Sequence, residues 1–376
     1  MNNKIKVAVI GATGSVGSSV MSVCRSHKDK IEVRGLAAYH NSKKFKDLID
    51  EFKPELFFNY QEHGLQGLYN LAEDEQVDNI IFASSGTEAI PALQRAAKLN
   101  KNISLANKES IVVAGEWVMP LITRKDQLRP LDSEHNAIWQ CLHGEDLNLN
   151  IIKSIYLTAS GGPFRKFSSE ELESVTPEMA LKHPVWDMGA KITIDSATLV
   201  NKGIELIEAM YLFKLKPEQV NALISPGSFV HGLIEFTDGS VKMLAAEPDM
   251  RLPAENCIFW PERFFPANDF KAPNFLNKNI IFEEPDLNKF PAMKLARYAM
   301  KNKGVYPALL VGADEAAVTR FLNHEIKFND IALIIEEVFA KCSLSDPKSL
   351  DEALNILNWA REFASKLQVK LNKINL

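Results

Sequence analysis

Lys4-Ile5-Lys6-Val7-Ala8-Val9-Ile10 runs directly into Gly11-Ala12-Thr13-Gly14-Ser15-Val16-Gly17, and this junction decides the fold. The first seven residues are a short apolar, β-branched run, the pattern of a buried strand. After the turn, Val16, Val20 and Val23 recur on one face of a helix. Strand, glycine-rich turn and helix together open a dinucleotide-binding βαβ unit. Gly11 permits the tight turn, Gly14 lets the backbone approach a pyrophosphate, and Gly17 lets helix and strand pack closely. The anion would rest on the free N–H groups of the helix N-terminus. The spacing is GxxGxxG rather than GxGxxG. Its place between a clean strand and a clean helix outweighs the reading as an empty glycine turn.

The second strand, roughly Ile31–Ala38, bears on the cofactor. An NAD site usually ends this strand with an acid that accepts from the ribose 2′-hydroxyl. Here the chain continues Tyr39-His40-Asn41-Ser42-Lys43-Lys44, with no acid, one histidine and two lysines. NADP(H) is favoured over NAD, against the reading of Lys43 and Lys44 as a solvated helix start. Further strands at Leu56–Phe58, Asn79–Ala83 and Asn102–Leu105 alternate with helical patterns such as Glu88–Lys98. That alternation predicts a doubly wound parallel sheet, with ligands gathered at the C-terminal strand ends. Lys108, in Ala106-Asn107-Lys108-Glu109-Ser110, lies just past one such end. Arg129–Leu131 reads as a short extended piece, limited to a sheet edge by Pro130.

Next comes Leu131–Gln140, LDSEHNAIWQ. On an extended chain Asp132 and Glu134 point to the same side, and two converging carboxylates make half of a site for Mg2+ or Mn2+. Alternatively, Asp132 or Ser133 caps a helix over Glu134–Gln140. Ile151–Thr158 is a strand that ends in Ser160-Gly161-Gly162, a turn able to cradle an anion or to serve as a hinge. His183-Pro184-Val185-Trp186-Asp187-Met188-Gly189 places Trp and Met in a loop, either as a lid or as anchors to the core. Ile192–Asp195 reads as a short strand. Ser196, Asn201 and Lys202 then offer a hydroxyl, an amide and an ammonium, a set that suits a phosphate monoester. Glu205 or Glu208 is placed to add a third carboxylate for the metal, or each is a solvated helix glutamate.

Size and composition exclude several classes. A chain of 376 residues has room for two or three domains. Apolar residues make up 46% and charged residues 24%, as in ordinary globular proteins. A net charge of -5 argues against broad nucleic-acid binding. The four cysteines are scattered, which points to a reducing compartment. No apolar run is long enough to cross a membrane, and the first strand starts too early for a targeting peptide. A cytoplasmic protein is expected.

Together, GATGSVG (11–17), ANKES (106–110), LDSEHNAIWQ (131–140), ASGGPF (159–164), HPVWDMGAKITIDSATLVNKGIELIEA (183–209), FTDGSV (236–241) and EPDMR (247–251) resemble the 1-deoxy-D-xylulose 5-phosphate reductoisomerases. The likeness runs from residue 5 to about residue 320. It implies rearrangement and reduction of 1-deoxy-D-xylulose 5-phosphate to 2-C-methyl-D-erythritol 4-phosphate, in non-mevalonate isoprenoid precursor synthesis, with NADPH and Mg2+, Mn2+ or Co2+. It implies metal ligands at Asp132, Glu134 and Glu205, choosing Glu205 over Glu208, and a catalytic role for these three with Lys108. Substrate contacts fall on Lys108, Ser133, Glu134, Ser160, His183, Trp186, Ser196, Asn201, Lys202 and Glu205. Cofactor contacts fall on Thr13, Gly14, Ser15, Val16, His40, Asn41, Asn107, Glu109, Met188 and Gly189. The usual Gly-Lys-Asn after the second strand is here Tyr39-His40-Asn41, so NADPH selection would lean on His40 and Lys43. Ser84–Glu88 replaces a Gly-Ala-Ala-Gly turn, and Ser225-Pro226-Gly227-Ser228 replaces His-Pro-Gln-Ser.

The expected architecture is α/β in several parts: a Rossmann-like doubly wound NADPH domain over 1–131, then an α+β catalytic domain over 132–259 with a flexible lid at about 160–191. A linking arm at 260–285 and a small helical domain at 286–376 follow, with homodimerisation implied by the resemblance. Two other functions compete. In a semialdehyde dehydrogenase, which also opens on GATGxVG, Cys257 would be the nucleophile. A non-catalytic NADP-binding regulator would bind cofactor without turnover.

Overall fold

A computed structural model describes residues 4–145, 149–182, 189–263, 270–276 and 279–368. Contacts divide the chain into two units. The first comprises Met1–Ile111, Gly115–His143 and Asp249–Pro273, and the second Val112–Ala114, Gly144–Pro248 and Asn274–Leu376.

In the first unit, β1 (Ile5–Ile10), β2 (Ile31–Ala38), β3 (Leu56–Asn59), β4 (Asn79–Phe82), β5 (Asn102–Leu105) and β6 (Leu128–Pro130) form one sheet. All neighbours are parallel, in the order β3-β2-β1-β4-β5-β6. This is the doubly wound order, and its direction reverses between β1 and β4, where such sheets bind ligands. Parallel strands covered on both faces must be apolar throughout. Val7, Val9, Ile80 and Ile81 accordingly have no exposed surface. β6 is a short edge strand, as Pro130 requires. The helices are α1 (Ser15–Ser26), α2 (Lys43–Phe52), α3 (Tyr60–Glu73), α4 (Ile90–Lys98), α5 (Lys108–Val118) and α6 (Ser133–Cys141).

The turn between β1 and α1 is built on its glycines. Gly11 has φ +87°, a left-handed conformation that disfavours side chains. A Cβ on Gly17 would lie 2.1 Å from the Gly11 carbonyl oxygen and 2.8 Å from the Ala12 carbonyl carbon. Helix and turn therefore approach as closely as the sequence reading required.

The second unit contains the short helices α7 (Ser169–Leu172) and α8 (Pro177–Ala180), then α9 (Ala190–Thr198) and α10 (Val200–Leu212). Its sheet has β7 (Ile152–Ala159), β8 (Val220–Ile224), β9 (Val230–Phe236) and β10 (Val241–Ala245) in the order β10-β9-β7-β8. β8 runs parallel to β7, whereas β9 and β10 are antiparallel, closing the hairpin at Thr237–Ser240. α11 (Arg251–Phe259) returns to the first unit. α12 (Pro291–Asn302), α13 (Tyr306–Leu322), α14 (Asp330–Lys341) and α15 (Leu350–Lys366) form the helical C-terminal part of the second.

Two sequence expectations differ from this picture. Ile192–Asp195 is not a strand but lies inside α9. Its threonines suit a helix because their hydroxyls bond back one turn: Thr193 Oγ1 donates to Gly189 O at 2.9 Å, and Thr198 Oγ1 to Ile194 O at 3.1 Å. The expected boundary at 131/132 also falls elsewhere, since α6 and α11 cluster with the sheet of the first unit. Ala254, Cys257, Ile258 and Phe259 of α11 are buried in one core with Val20, Val23 and Cys24 of α1. That apolar face draws back a segment the sequence assigns to the middle of the chain.

Gly17→Ala is expected to cost about 3 kcal/mol, at the upper end for overpacking because the obstructing atoms are backbone. Urea unfolding measures the loss, and an unchanged midpoint would contradict the close approach described here.

Candidate active site

At the β1/β4 switch point the first unit holds a cleft of about 360 Å³. Gly11, Thr13 and Gly14 line one wall, Ala38 and Tyr39 follow from β2, and Ser84, Ser85, Gly86 and Glu88 close the other side. Ser15 and Val16 begin α1, and Gly14 sits at its N-cap position with extended backbone and no side-chain cap. The helix N-terminus is thus open to an anion. The buried Ser84 hydroxyl oxygen has no hydrogen-bond partner among the described residues. A cleft of this shape, with an uncapped helix end and an unsatisfied hydroxyl at its rim, fits a dinucleotide.

His40 and Asn41 are exposed beyond Tyr39. Lys43 pairs with Asp47 one turn along α2 at 2.8 Å, whereas Lys44 reaches the glycine turn. Asn107 is turned to another task. Its amide donates to Ser84 O at 2.8 Å and Gly86 O at 2.6 Å, and its oxygen accepts from the Ser110 backbone at 2.9 Å. It caps α5 and holds the loop that walls the cleft. Glu109 stands half-buried in the first turn of the same helix.

LDSEHNAIWQ settles into the cap geometry and keeps its carboxylates together. Asp132 is the N-cap of α6, with Oδ1 accepting from Glu134 N at 3.2 Å. Glu134 lies in the first helical turn, so the extended-chain argument does not describe how the two side chains meet. An oxygen of Asp132 and one of Glu134 nonetheless lie within 4.8 Å of each other. Lys108, its side chain 8% exposed, places Nζ 2.9 Å from Asp132 Oδ2. His135 Nδ1, fully buried, lies 3.1 Å from Asp132 Oδ1. The Ser133 hydroxyl donates to the Glu134 carboxylate. Two hard oxygen donors on a rigid cap, oriented from behind by a buried histidine, fit a divalent metal ion.

In the second unit, α9 and α10 meet at Leu199, whose φ of +61° is strained for a branched residue. The break leaves the first turn of α10, with Asn201 and Lys202, next to the end of α9, with Ser196. Glu205, 1% exposed, accepts from Asn201 Nδ2 at 2.5 Å and pairs with the Lys202 ammonium. Burial of that carboxylate is tolerable because it is paired and hydrogen-bonded. Glu208, one turn on, is also fully buried. The Ser160 hydroxyl accepts from Gly162 N at 3.2 Å, and a Cβ on Gly162 would lie 2.8 Å from Ser196 O. The Ser160 loop therefore packs on the end of α9, bringing Ser160 and Ser196 to one place. Gly189 is the exposed N-cap of α9. His183, Trp186 and Met188, and with them the centre of the expected lid, fall outside the described residues.

Sequence reasoning passed over His135, although its place three residues after Asp132 at a helix start signals a shared face. It also passed over Lys191, which bridges Asp195 at 2.5 Å and the buried Asp314 at 2.8 Å. Asp314 is more than a hundred residues away, and no spacing announces it.

The chain is similar to known proteins along most of its length. A family model for 1-deoxy-D-xylulose 5-phosphate reductoisomerase matches residues 7–64 and 58–115. Models for C-terminal domains of the same enzyme match 128–213 and 245–363. The 1-deoxy-D-xylulose 5-phosphate reductoisomerase of Pelodictyon phaeoclathratiforme is 41% identical, over 96% of this chain and 98% of its own length. That of Aquifex aeolicus is 40% identical, over 95% and 96% respectively. Among solved structures, the Zymomonas mobilis enzyme in complex with NADPH superposes with a TM-score of 0.87 at 34% identity, covering 96% of this chain and 98% of that one. A reductoisomerase in complex with NADPH, fosmidomycin and magnesium gives 0.87 at 34% identity, covering 96% and 97%.

The competing nucleophile does not survive inspection. Cys257 is fully buried, its thiol donates to Pro130 O at 3.3 Å, and burial pushes its pKa up to about 12. A thiol held protonated is not a nucleophile. Native protein at pH 8 is expected to leave Cys257 unlabelled by iodoacetamide, as read by peptide mass mapping. Rapid labelling there would revive the dehydrogenase reading.

Proposed function

The chain belongs to the 1-deoxy-D-xylulose 5-phosphate reductoisomerase family, and from that premise we propose how its residues divide the work. The reaction is the NADPH- and divalent-metal-dependent conversion of 1-deoxy-D-xylulose 5-phosphate to 2-C-methyl-D-erythritol 4-phosphate. When bound, the cation supplies Lewis acidity at the substrate's oxygens and the nicotinamide supplies hydride.

In this reading Asp132, Glu134 and Glu205 hold the cation, which is magnesium or, in its place, manganese or cobalt. The single observation that carries it is the Asp132–Glu134 cap, two carboxylates held close together and partnered by Lys108, His135 and Ser133. Lys108, buried beside Asp132, would donate from its side-chain nitrogen to a substrate oxygen. Ser133 adds a hydroxyl contact at the same end. Ser160, Ser196, Asn201 and Lys202, joined by His183, bind the phosphate. Holding that remote group orients the reacting carbons. Trp186 covers the substrate, which keeps reactive species from water. Thr13, Gly14, Ser15 and Val16 take the pyrophosphate. His40, Asn41, Asn107, Glu109, Met188 and Gly189 complete the cofactor site, Asn107 acting through the Ser84–Gly86 loop.

The same reading includes a cytoplasmic homodimer. The four cysteines stand as thiols, which supports a reducing compartment. No helix among the described residues is long and apolar enough to cross a membrane. β10 is an edge strand with Val241 and Met243 51% and 44% exposed, a surface suited to pairing with a second copy.

Glu205→Gln is expected to lower magnesium-dependent NADPH oxidation with 1-deoxy-D-xylulose 5-phosphate by a factor on the order of a thousand. NADPH binding by the same variant should be unchanged, which checks the fold. Near-normal turnover would sink the metal assignment. Replacing Val241 and Met243 together by lysine should shift the sedimentation coefficient from dimer to monomer, and an unaltered dimer would exclude the β10 edge.

A further inference from the structure

β2 ends at Ala38 without an acid, and the chain passes through Tyr39, His40 and Asn41 into the first turn of α2. Two lysines open that helix, and the structure separates them. Lys43 Nζ lies 2.8 Å from Asp47, with both side chains largely in solvent, so a carboxylate answers its charge. Lys44 turns the other way. Its ammonium donates to the Thr13 carbonyl at 2.8 Å and to the Ser18 hydroxyl at 2.7 Å. Ser18 in turn donates to Gly14 O at 2.6 Å. Both partners of Lys44 are neutral, and both belong to the glycine turn or the helix it opens. A full positive charge is thereby fixed at the rim of the nucleotide cleft, because Thr13 is one of its walls. An ammonium carries three N–H donors. Two are committed to the turn and the third is open.

The aromatic residues orient the occupant. Tyr39 is half-exposed and stacks on Tyr60 with ring centroids 5.5 Å apart and planes at 26°. Both line the cleft. An open aromatic face at the mouth of a nucleotide cleft takes the adenine ring by stacking. Tyr39 and Tyr60 would hold the adenosine near the end of β2, and the Gly11–Gly17 turn would hold the pyrophosphate. The ribose would then lie in the part of the cleft between that turn and the first turn of α2. Lys44 spans this space.

We propose that Lys44, rather than Lys43, recognises the 2′-phosphate of NADPH and sets the preference for it over NADH. The proposal rests on the cofactor reading above and deepens it. A charge pre-positioned by two neutral hydrogen bonds loses little conformational entropy when the phosphate arrives. The phosphate gains a charge-assisted contact that a bare 2′-hydroxyl cannot repay. Lys43 would first have to leave Asp47.

The test is nucleotide binding by the full chain without metal or substrate, read by nucleotide fluorescence. Lys44→Ala should weaken NADPH about ten- to a hundredfold and leave NADH within about twofold. Lys43→Ala should change neither, and Lys44→Arg should retain the preference. By calorimetry, adenosine 2′,5′-bisphosphate should lose affinity in Lys44→Ala while adenosine 5′-monophosphate does not. Added salt should narrow the NADPH–NADH gap of the wild type more than that of Lys44→Ala. An unchanged NADPH-to-NADH ratio in Lys44→Ala would overturn the proposal. So would equal weakening of both nucleotides, which marks a brace of the turn, or a loss confined to Lys43→Ala. A wild-type chain that binds neither nucleotide would overturn the cofactor reading itself.

Discussion

Buried carboxylates that must be partnered set the terms for the rest of this structure. A carboxylate buried without partners costs too much desolvation. Asp132 avoids this with the Lys108 ammonium at 2.9 Å, the His135 ring at 3.1 Å and the backbone N–H of Glu134. Glu205 avoids it with Lys202 and Asn201 from the preceding turn of its own helix. Each unit therefore solves the problem internally, with a lysine assigned to each acid. Partnered in this way, both acids keep oxygen lone pairs that suit a hard cation.

The scaffold serves that requirement. A parallel sheet in doubly wound order delivers the chain to its C-terminal edge at each crossover, so the β1–α1 turn, the loop after β4 and the start of α5 all emerge on one side. Lys108 is the first residue of α5, and Asp132 follows the short edge strand β6. β5 and β6 are hydrogen-bonded neighbours. The Lys108–Asp132 pair is therefore a consequence of strand adjacency. Asn107 contributes from the same place, tying α5 to the wall of the nucleotide cleft through Ser84 and Gly86.

How much of this could be read from the chain follows from the range of each interaction. Strand, turn and helix at residues 4–26 were legible because their signals are local: a β-branched run, glycines at fixed offsets and a one-sided apolar helix. The α6 cap was legible for the same reason, and a cap does not exclude a ligand, since Asp132 has lone pairs for both. Ile192–Asp195 misled because β-branched residues signal strands, yet Thr193 and Thr198 satisfy their hydroxyls inside α9. The return of α11 to the first core could not be read at all. Its apolar face looks the same whichever core it joins. Lys43 and Lys44 are adjacent in sequence but about 100° apart around a helix, which only the three-dimensional path of α2 resolves. The i,i+4 spacing of Lys43 and Asp47 was nonetheless a visible hint that Lys43 was already engaged.

One tension remains between the resemblance and the geometry, and it has a physical resolution. The resemblance implies phosphate contacts at Asn201 and Lys202, yet here both hold Glu205. A carboxylate shared with a divalent cation carries less charge to offer an ammonium, so the Lys202–Glu205 attraction weakens when a cation is bound. The ammonium and the amide, both donors with several N–H groups, can then turn part of their hydrogen bonding to an incoming phosphate. On the proposed roles, the same logic would free Lys108 from Asp132 toward a substrate oxygen. The lysines are internal counter-ions of Asp132 and Glu205. On that account, metal binding should precede and strengthen phosphate binding, a coupling set by the proximity of Lys202 to Glu205 within one helical turn.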